Sequence, residues 1–599
     1  QQSQIPSSAR QERVPPLKAQ LPLSTLVKAA VEQFRMTTGP DVPNPQSAIS
    51  INLRAHAAEL CRKILLAGLA AEDFCDNEEA VIRVRLRIEL LRKQPLPDTP
   101  VSSSMYRCPN EAARQVYVNA LTVLAFAVSG TEMRQSCMKF FNSIVKQLTL
   151  QALLEQTYAA TLSSLENSKR CMDGTIVVDV LEATLTDSGK SFINTAVLML
   201  RLIAETCLTV VGDDVEMFAR LPLLSHLLAR LSALCNGAAW FERLGGATAF
   251  AFIIDEYPRQ LVRNHLELFI RALLEAPLGL SSEVSSGAVD KAVMALESLP
   301  AAVFGTTSQV RAVLKVGGPK EGPSDAASIA EEAQKEMTAV FVDAYAPLLL
   351  NDDPFLHGMI ARLLTSLAET LSRPLKELLD ASPINSLLAS ALLSFPALSL
   401  WRQIATMHTL SFVLEAGCSL EEMPEKDLST VCGIVMRQIA RLCEDNDEKL
   451  LARKQYQQVG ACSHTIPHAA CASDLRNQAM RTYCVCYTLV NLPGVVKEEE
   501  DKESARGLPE LGGERLLRIG LGIAASEDLR LRKTTGEALL KANQQRPLEN
   551  AVIEAELSRV LDEIETNRDL PAPLARRLCL LLRLRGSLFS RRCFDALMV

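Results

Sequence analysis

Residues 191–235 read SFINTAVLMLRLIAETCLTVVGDDVEMFARLPLLSHLLARLSALC. The second half sets Leu223 and Leu224, Leu227 and Leu228, Leu231, and Leu234 and Cys235 three and four positions apart, the period of a helix with one apolar face. In the first half Arg201 and Glu205 interrupt the apolar run 197–211 one helical turn apart, as a one-sided helix demands. Gly212-Asp213-Asp214 stands between the two periodic runs as a break. Two amphipathic helices joined by a short polar turn cannot cover their own apolar surface, whereas stacked pairs bury it continuously.

The same pattern recurs from end to end. Segments of about 12 to 20 residues with helical spacing end at Gly, Pro or short polar clusters, among them 23–36, 52–69, 110–129, 133–147, 149–165, 175–185, 248–256, 265–275, 284–299, 329–349, 354–371, 399–415, 513–524, 528–542, 548–567 and 572–588. Pairs spaced by roughly 35 to 50 residues predict an all-α fold, an α-solenoid of HEAT or armadillo kind, with no exact repeat motif retained. The expected divisions are a tail or linker over 1–20 and helical repeats over 21–165, 166–315 and 326–452. A polar Cys/His insertion over 453–473 follows, then repeats over 474–599 that carry an acidic loop at 497–512.

Composition agrees with this class. Hydrophobic residues make 48% of the 599 and charged residues 22%, which is too apolar for a disordered chain. Aromatics are only 5%, with two Trp and eight Tyr, so strand formers are scarce. Lys and Arg number 63 against 70 Asp and Glu, a net charge of −7, and no chain-wide basic field draws the protein to nucleic acid or anionic membrane. Sixteen Cys, placed singly in helical stretches as at Cys61, Cys137, Cys207, Cys235 and Cys432, point to a reducing, intracellular setting. The chain opens Gln1-Gln2-Ser3 with no secretory pattern and reads as an internal fragment. Residues 381–401 lack formal charge but contain Pro383 and Pro396, so a helix pair broken at Pro396 is expected and no membrane span.

Few constellations carry chemistry. Cys462, His464, His468 and Cys471 put four potential zinc ligands within ten residues, but the His pair is nested inside the Cys pair, unlike the paired spacing of zinc fingers. They stand as the one weak metal candidate, and no metal or cofactor is expected. Cys484 and Cys486 are two apart on a helix, facing apart. Gly245-Gly246 and Gly317-Gly318 lack the setting of a phosphate loop. His56, His226, His357 and His408 lie inside helices and read as structural. Arg83, Arg85, Arg87, Arg92 and Lys93, and Arg576, Arg577, Arg583, Arg585, Arg591 and Arg592, form basic clusters without the aromatics or motif of a nucleic-acid site; a solvated face or a salt-bridge ladder is expected. The run 497–503, KEEEDKE, reads as a solvated insertion. No catalytic residues are predicted, and the chain reads as no enzyme.

The run AWFERLGG at 239–246, preceded by the Cys-containing helix, resembles the solenoid of the transformation/transcription domain-associated protein family at Trp240, Leu244, Gly245 and Gly246. SSEVSSGAV at 281–289 is similar to that family's Gly-Glu-Val-Ser-Asn-Gly-Ala-Val through Glu283, Val284, Ser285 and Gly287. DLRNQAMRTYCVCYTLVNLP at 474–493, SEDLRLRKTTGEALLK at 526–541 and the final RLCLLLRLRGSLFSRRCFDALM also resemble it, in colinear order. The insertion around Cys462 to Cys471 and the acidic loop depart from the family pattern. The resemblance implies a nuclear, non-catalytic segment of a scaffold of histone acetyltransferase complexes of the SAGA and NuA4 types, stopping mid-solenoid. Its implied partners are transcription activators and complex subunits, with no direct sequence-specific nucleic-acid contact, no membrane and no small-molecule substrate. The alternatives are the solenoid arm of an active phosphatidylinositol-kinase-related protein kinase and a generic HEAT adaptor such as a transport receptor. Trp240 is expected to be buried where its helix meets the next repeat.

Overall fold

The computed structural model describes residues 23–38, 48–69, most of 81–88, 111–130, 133–158, 172–187, 192–212, 214–278, 287–305, 331–351, 354–418, most of 478–484, 513–525, 529–567 and 571–598. Among them there is no strand; the fold is all-α. The chain divides into two compact units, residues 1–265, 272–295 and 309–322 in the first and 266–271, 296–308 and 323–599 in the second.

The first unit is built from α1 (Leu23–Thr38), α2 (Ala48–Gly68), α3 (Glu111–Ser129), α4 (Arg134–Tyr158), α5 (Ile176–Leu185), α6 (Ile193–Val211), α7 (Val215–Ala219), α8 (Pro222–Cys235), α9 (Trp240–Glu256) and α10 (Arg259–Asn264). The boundary between units passes through α11 (Leu266–Glu275) and α12 (Ala288–Phe304). Helices α1 and α2 both lie on α3, α3 packs on α4 and α5, α4 on α6, and α5 on α6, α8 and α9. A helix that meets its successor and the one after is how stacked pairs hide apolar faces, and it keeps contacts local in sequence. Phe126 of α3 stacks on Phe192 at the start of α6, ring centroids 3.7 Å apart.

Among the described residues two helices, α3 and α6, are long and apolar enough to cross a membrane by length and composition, and both are mostly buried inside the protein. Sequence periodicity divides 133–165 into two helices, whereas α4 runs unbroken across the division. Leu148 and Thr149 are fully buried there, and the Thr149 hydroxyl donates to the Val145 carbonyl at 2.8 Å, so nothing at that point leaves the helical path. The short α7 and α10 have no counterpart among the expected segments. Each is about one turn, too short for a period to show; α7 is held by Asp214, whose carboxylate accepts from the Met217 N–H at 2.9 Å.

The second unit contains α13 (Glu331–Tyr345), α14 (Pro354–Leu371), α15 (Leu375–Asp380), α16 (Ile384–Leu393), α17 (Leu400–Glu415), α18 (Gly513–Ala524), α19 (Leu529–Gln545), α20 (Asn550–Asn567), α21 (Ala572–Leu584) and α22 (Arg591–Met598). The expected break at Pro396 is present as the 3-10 turn Phe395–Ala397. Its carbonyls are not left bare, because buried Gln403 donates to Phe395 O at 3.1 Å and Leu398 O at 3.2 Å. Helix α18 packs on α19, α20 and α21. Asn543 of α19 donates to Leu584 O at the end of α21 at 3.2 Å and accepts from Leu548 N–H, in the turn before α20, at 2.9 Å.

Candidate functional site

Four of the signature residues fall on α9, where it meets α5 and α8. Gly245 and Gly246 are both buried. A Cβ on Gly245 would lie 2.4 Å from the Leu185 carbonyl oxygen at the end of α5, and one on Gly246 would lie 2.8 Å from the Cys235 sulfur and 2.9 Å from its backbone nitrogen at the end of α8. Consecutive positions on a helix point about 100° apart, so the pair lets one helix approach two neighbours at backbone distance. This explains Gly-Gly inside a helix despite its cost in propensity. Leu244, 8% exposed, fills the apolar side of the junction.

The start of α9 is fixed from both sides. The Ala239 N–H donates to the Glu242 carboxylate at 3.0 Å, and Arg243 donates through Nε to Gly237 O at 2.6 Å. The Arg243 Nη1 reaches Ala276 O at 3.3 Å and also Leu278 O, carbonyls just beyond the end of α11. Arg243 thus joins the turn before α9 to the chain leaving α11, a role that its position in the run does not announce. Trp240 stands edge-on to Phe241, centroids 5.6 Å apart, and is half-buried rather than buried as expected. It lies at the first position of the helix.

Of the second signature, Glu283, Val284 and Ser285 lie outside the described residues. Gly287 adopts φ +90°, a left-handed conformation that favours glycine, and its carbonyl accepts from Lys291 N–H at 3.0 Å to start α12.

A ladder of charges crosses the helices beneath. Arg114 of α3 pairs with Asp173 at 2.7 Å, with Asp179 of α5 and with Thr175 at 3.0 Å, and Arg230 of α8 pairs with Asp179 at 3.3 Å and with Glu182. Burial works against the Arg114 charge, but the two aspartates outweigh it and hold the guanidinium above its ordinary value. Beside it, burial first and then Arg230 push His226 below its ordinary value. The ladder fixes the register of α3, α5 and α8 by pairing directional groups where apolar packing alone would permit sliding.

Of the first basic cluster Arg83, Arg87, Arg92 and Lys93 lie outside the described residues, and Arg85 is engaged as a cap. Arg85 donates to Val210 O at 3.0 Å and Thr209 O at 2.6 Å at the end of α6. Arg592 pairs with Asp562 and Glu565 of α20, and Arg577 with Glu563. His357 and His408, on α14 and α17, lie with ring centroids 5.6 Å apart and planes tilted by 32°; His357 Nε2 lies 2.5 Å from Asn351 O. Burial, then His357 and Arg481, lower His408 to about 4.

Cys462, His464, His468 and Cys471 lie outside the described residues, as do Cys432, Cys486 and the acidic run 497–503. Among the described residues no group of three or more His, Cys, Asp or Glu is placed to hold a metal ion. Burial raises Cys61, Cys207, Cys418 and Cys484 to about 12, so these thiols stay protonated and unreactive at neutral pH. What the junction offers chemically is rigid helix-to-helix placement.

The family model described as the Tra1 HEAT repeat ring region matches residues 6–593. Transcription-associated protein 1 of Caenorhabditis briggsae is 30% identical over 280 residues, 45% of this chain and 7% of its own length. The Caenorhabditis elegans protein of that name is 28% identical over 295 residues, 47% of this chain and 7% of its length. The Transformation/transcription domain-associated protein of Homo sapiens is 26% identical over 260 residues, 41% of this chain and 7% of its length. The chain therefore spans a small part of these relatives. A solved complex of SYS-1 and POP-1 superposes over 94% of this chain and 86% of its own at 13% identity, with a TM-score of 0.32 that carries no weight. Since the match covers nearly every residue from 6 to 593, the chain belongs to the family of Tra1 HEAT repeat ring regions.

Proposed function

We propose that this chain is a non-catalytic scaffold segment of a transcription co-activator assembly of histone acetyltransferase type, working in the nucleus by docking activators and other subunits. The family match over residues 6–593 carries the reading, together with relatives named for transcription. The physics of the fold is consistent with it. Stacked helices bury their apolar faces in one another and leave polar outer faces and inter-helix grooves, surfaces that bind partners without moving electrons or protons.

The test is to tag the natural full-length protein, purify it from nuclear extract, and assay the eluate for acetylation of histones and for kinase activity. Co-purifying acetyltransferase activity, with no phosphate transfer by the protein itself, is the expected result. Intrinsic kinase activity would replace the scaffold by the arm of an enzyme. Recovery with transport factors and no acetyltransferase would make it a generic adaptor.

A further inference from the structure

Helix α14 packs on α17, and the two meet at a pair of histidines. His357 is 2% exposed whereas His408 is half-buried, so the pair reaches from the interior toward solvent. Both are held by the same connection, residues 346–351, that leads into α14. His357 Nε2 is bonded to Asn351 O, and Thr409, the residue after His408, donates to Leu349 O at 2.8 Å. Two rings fixed to one turn keep their separation, which is the preorganisation that a small ligand needs.

The hydrogen bonds assign the nitrogens. A carbonyl oxygen only accepts, so His357 Nε2 carries the ring proton and Nδ1 the lone pair. That is the arrangement of a metal-bound imidazole, which ordinarily donates its other N–H to a backbone carbonyl, a carboxylate or water. On α17, His408 Nδ1 is buried and makes no hydrogen bond. A cation bonded at about 2.0–2.1 Å to one nitrogen of each ring would lie about 3.2 Å from each centroid, and the 5.6 Å separation then subtends about 120°, near the tetrahedral angle. Residues 346–351 and α16, which also pack here, bring no charge. Besides His357, the group whose field reaches His408 is Arg481, and it opposes a cation.

We propose that His357 and His408 form a two-histidine site for a divalent transition metal of the zinc class, with water completing the coordination, and that the metal clamps α14 to α17. Two protein ligands fall short of a closed structural zinc centre, so the metal stiffens a junction that already folds. A metal bond outweighs a hydrogen bond, and the site does not require His357 Nδ1 to stand without one beforehand. The inference is independent of the scaffold reading.

The test titrates zinc into the chelator-washed 599-residue chain by calorimetry. A Cys462→Ser, Cys471→Ser background keeps the Cys/His run from contributing, and magnesium is the control cation. The expected result is one zinc per chain and no magnesium, with affinity reduced at least about tenfold by His408→Gln and raised about threefold by Arg481→Gln. Zinc should slow hydrogen exchange over 354–362 and 402–412, and its X-ray absorption edge should show imidazole nitrogen without sulfur. His408 and Arg481 both reach solvent, and unchanged circular dichroism verifies that the variants fold. Absence of zinc binding, equal binding by His408→Gln, or sulfur in the absorption spectrum overturns the proposal.

Discussion

Replacing Gly245 by Ala tests the two-sided approach of α9 directly. The added Cβ would sit 2.4 Å from the Leu185 carbonyl oxygen and 2.9 Å from the Leu185 carbonyl carbon and Cβ. Ordinary contact begins near 3.4 Å, so about 1 Å of separation is required, and the obstacle is backbone that cannot rotate aside. Overpacking of this kind costs about 1–3 kcal/mol. Against it stands the gain of about 1 kcal/mol in helix propensity from Gly to Ala. With a carbonyl as the obstacle the cost falls toward the upper end, and the net loss is about 1–2 kcal/mol. Gly358, exposed in α14 with nothing within 4 Å of its Cβ position, is the matched control. Gly358→Ala is expected to stabilise by about 0.5–1 kcal/mol. Since stacked repeats need not unfold in one step, urea melts should be read with peptide-resolved hydrogen exchange. Faster exchange at 180–186 and 240–250 in Gly245→Ala, with slower exchange around 358 in the control, is the expected pattern. A Gly245→Ala chain as stable as the control refutes the close-approach account.

Three further predictions follow from the neighbouring geometry. Arg243→Met removes donors from Gly237, Ala276 and Leu278 and should cost about 1.5–3 kcal/mol, with exchange rising at 276–278 in the same peptide map. Arg114→Leu leaves Asp173 and Asp179, whose side chains are only 15% and 19% exposed, without their shared cation; about 2–4 kcal/mol is expected to be lost, and Asp179→Asn in the Arg114→Leu background should restore part of it. His408, lowered to about 4 by burial, His357 and Arg481, favours the neutral folded form, so its contribution is fully present above pH 6.5 and is lost as pH falls toward 4. That amounts to about 3 kcal/mol in the second unit, and His408→Leu should flatten the difference in melts between pH 7 and pH 4.5; an unchanged slope refutes it.

The helices were legible because their cause is local. In α8 the leucines at 223, 227, 228, 231 and 234 repeat at helical spacing whether or not a neighbour is known, and all of them are buried. The false division of α4 marks where that rule weakens: Thr149 is polar in the sequence, yet its hydroxyl turns back to its own helix and the side chain is buried. The signature glycines were visible as a motif but not as a cause. Gly245 is required by Leu185, sixty positions earlier, and no periodicity within α9 encodes that distance. The charge ladder is hidden for the same reason. Arg114 and Asp173 are 59 positions apart, and either alone reads as an ordinary surface charge. Even Trp240, the most conspicuous residue of the run, was misplaced, since its type predicts burial while its position at the first turn of α9 leaves it half exposed. In a solenoid, then, the repeat unit is written locally, but the stacking register is written in pairs of residues that meet only across repeats. Those pairs are where substitutions will alter the surface offered to partners while leaving each helix intact.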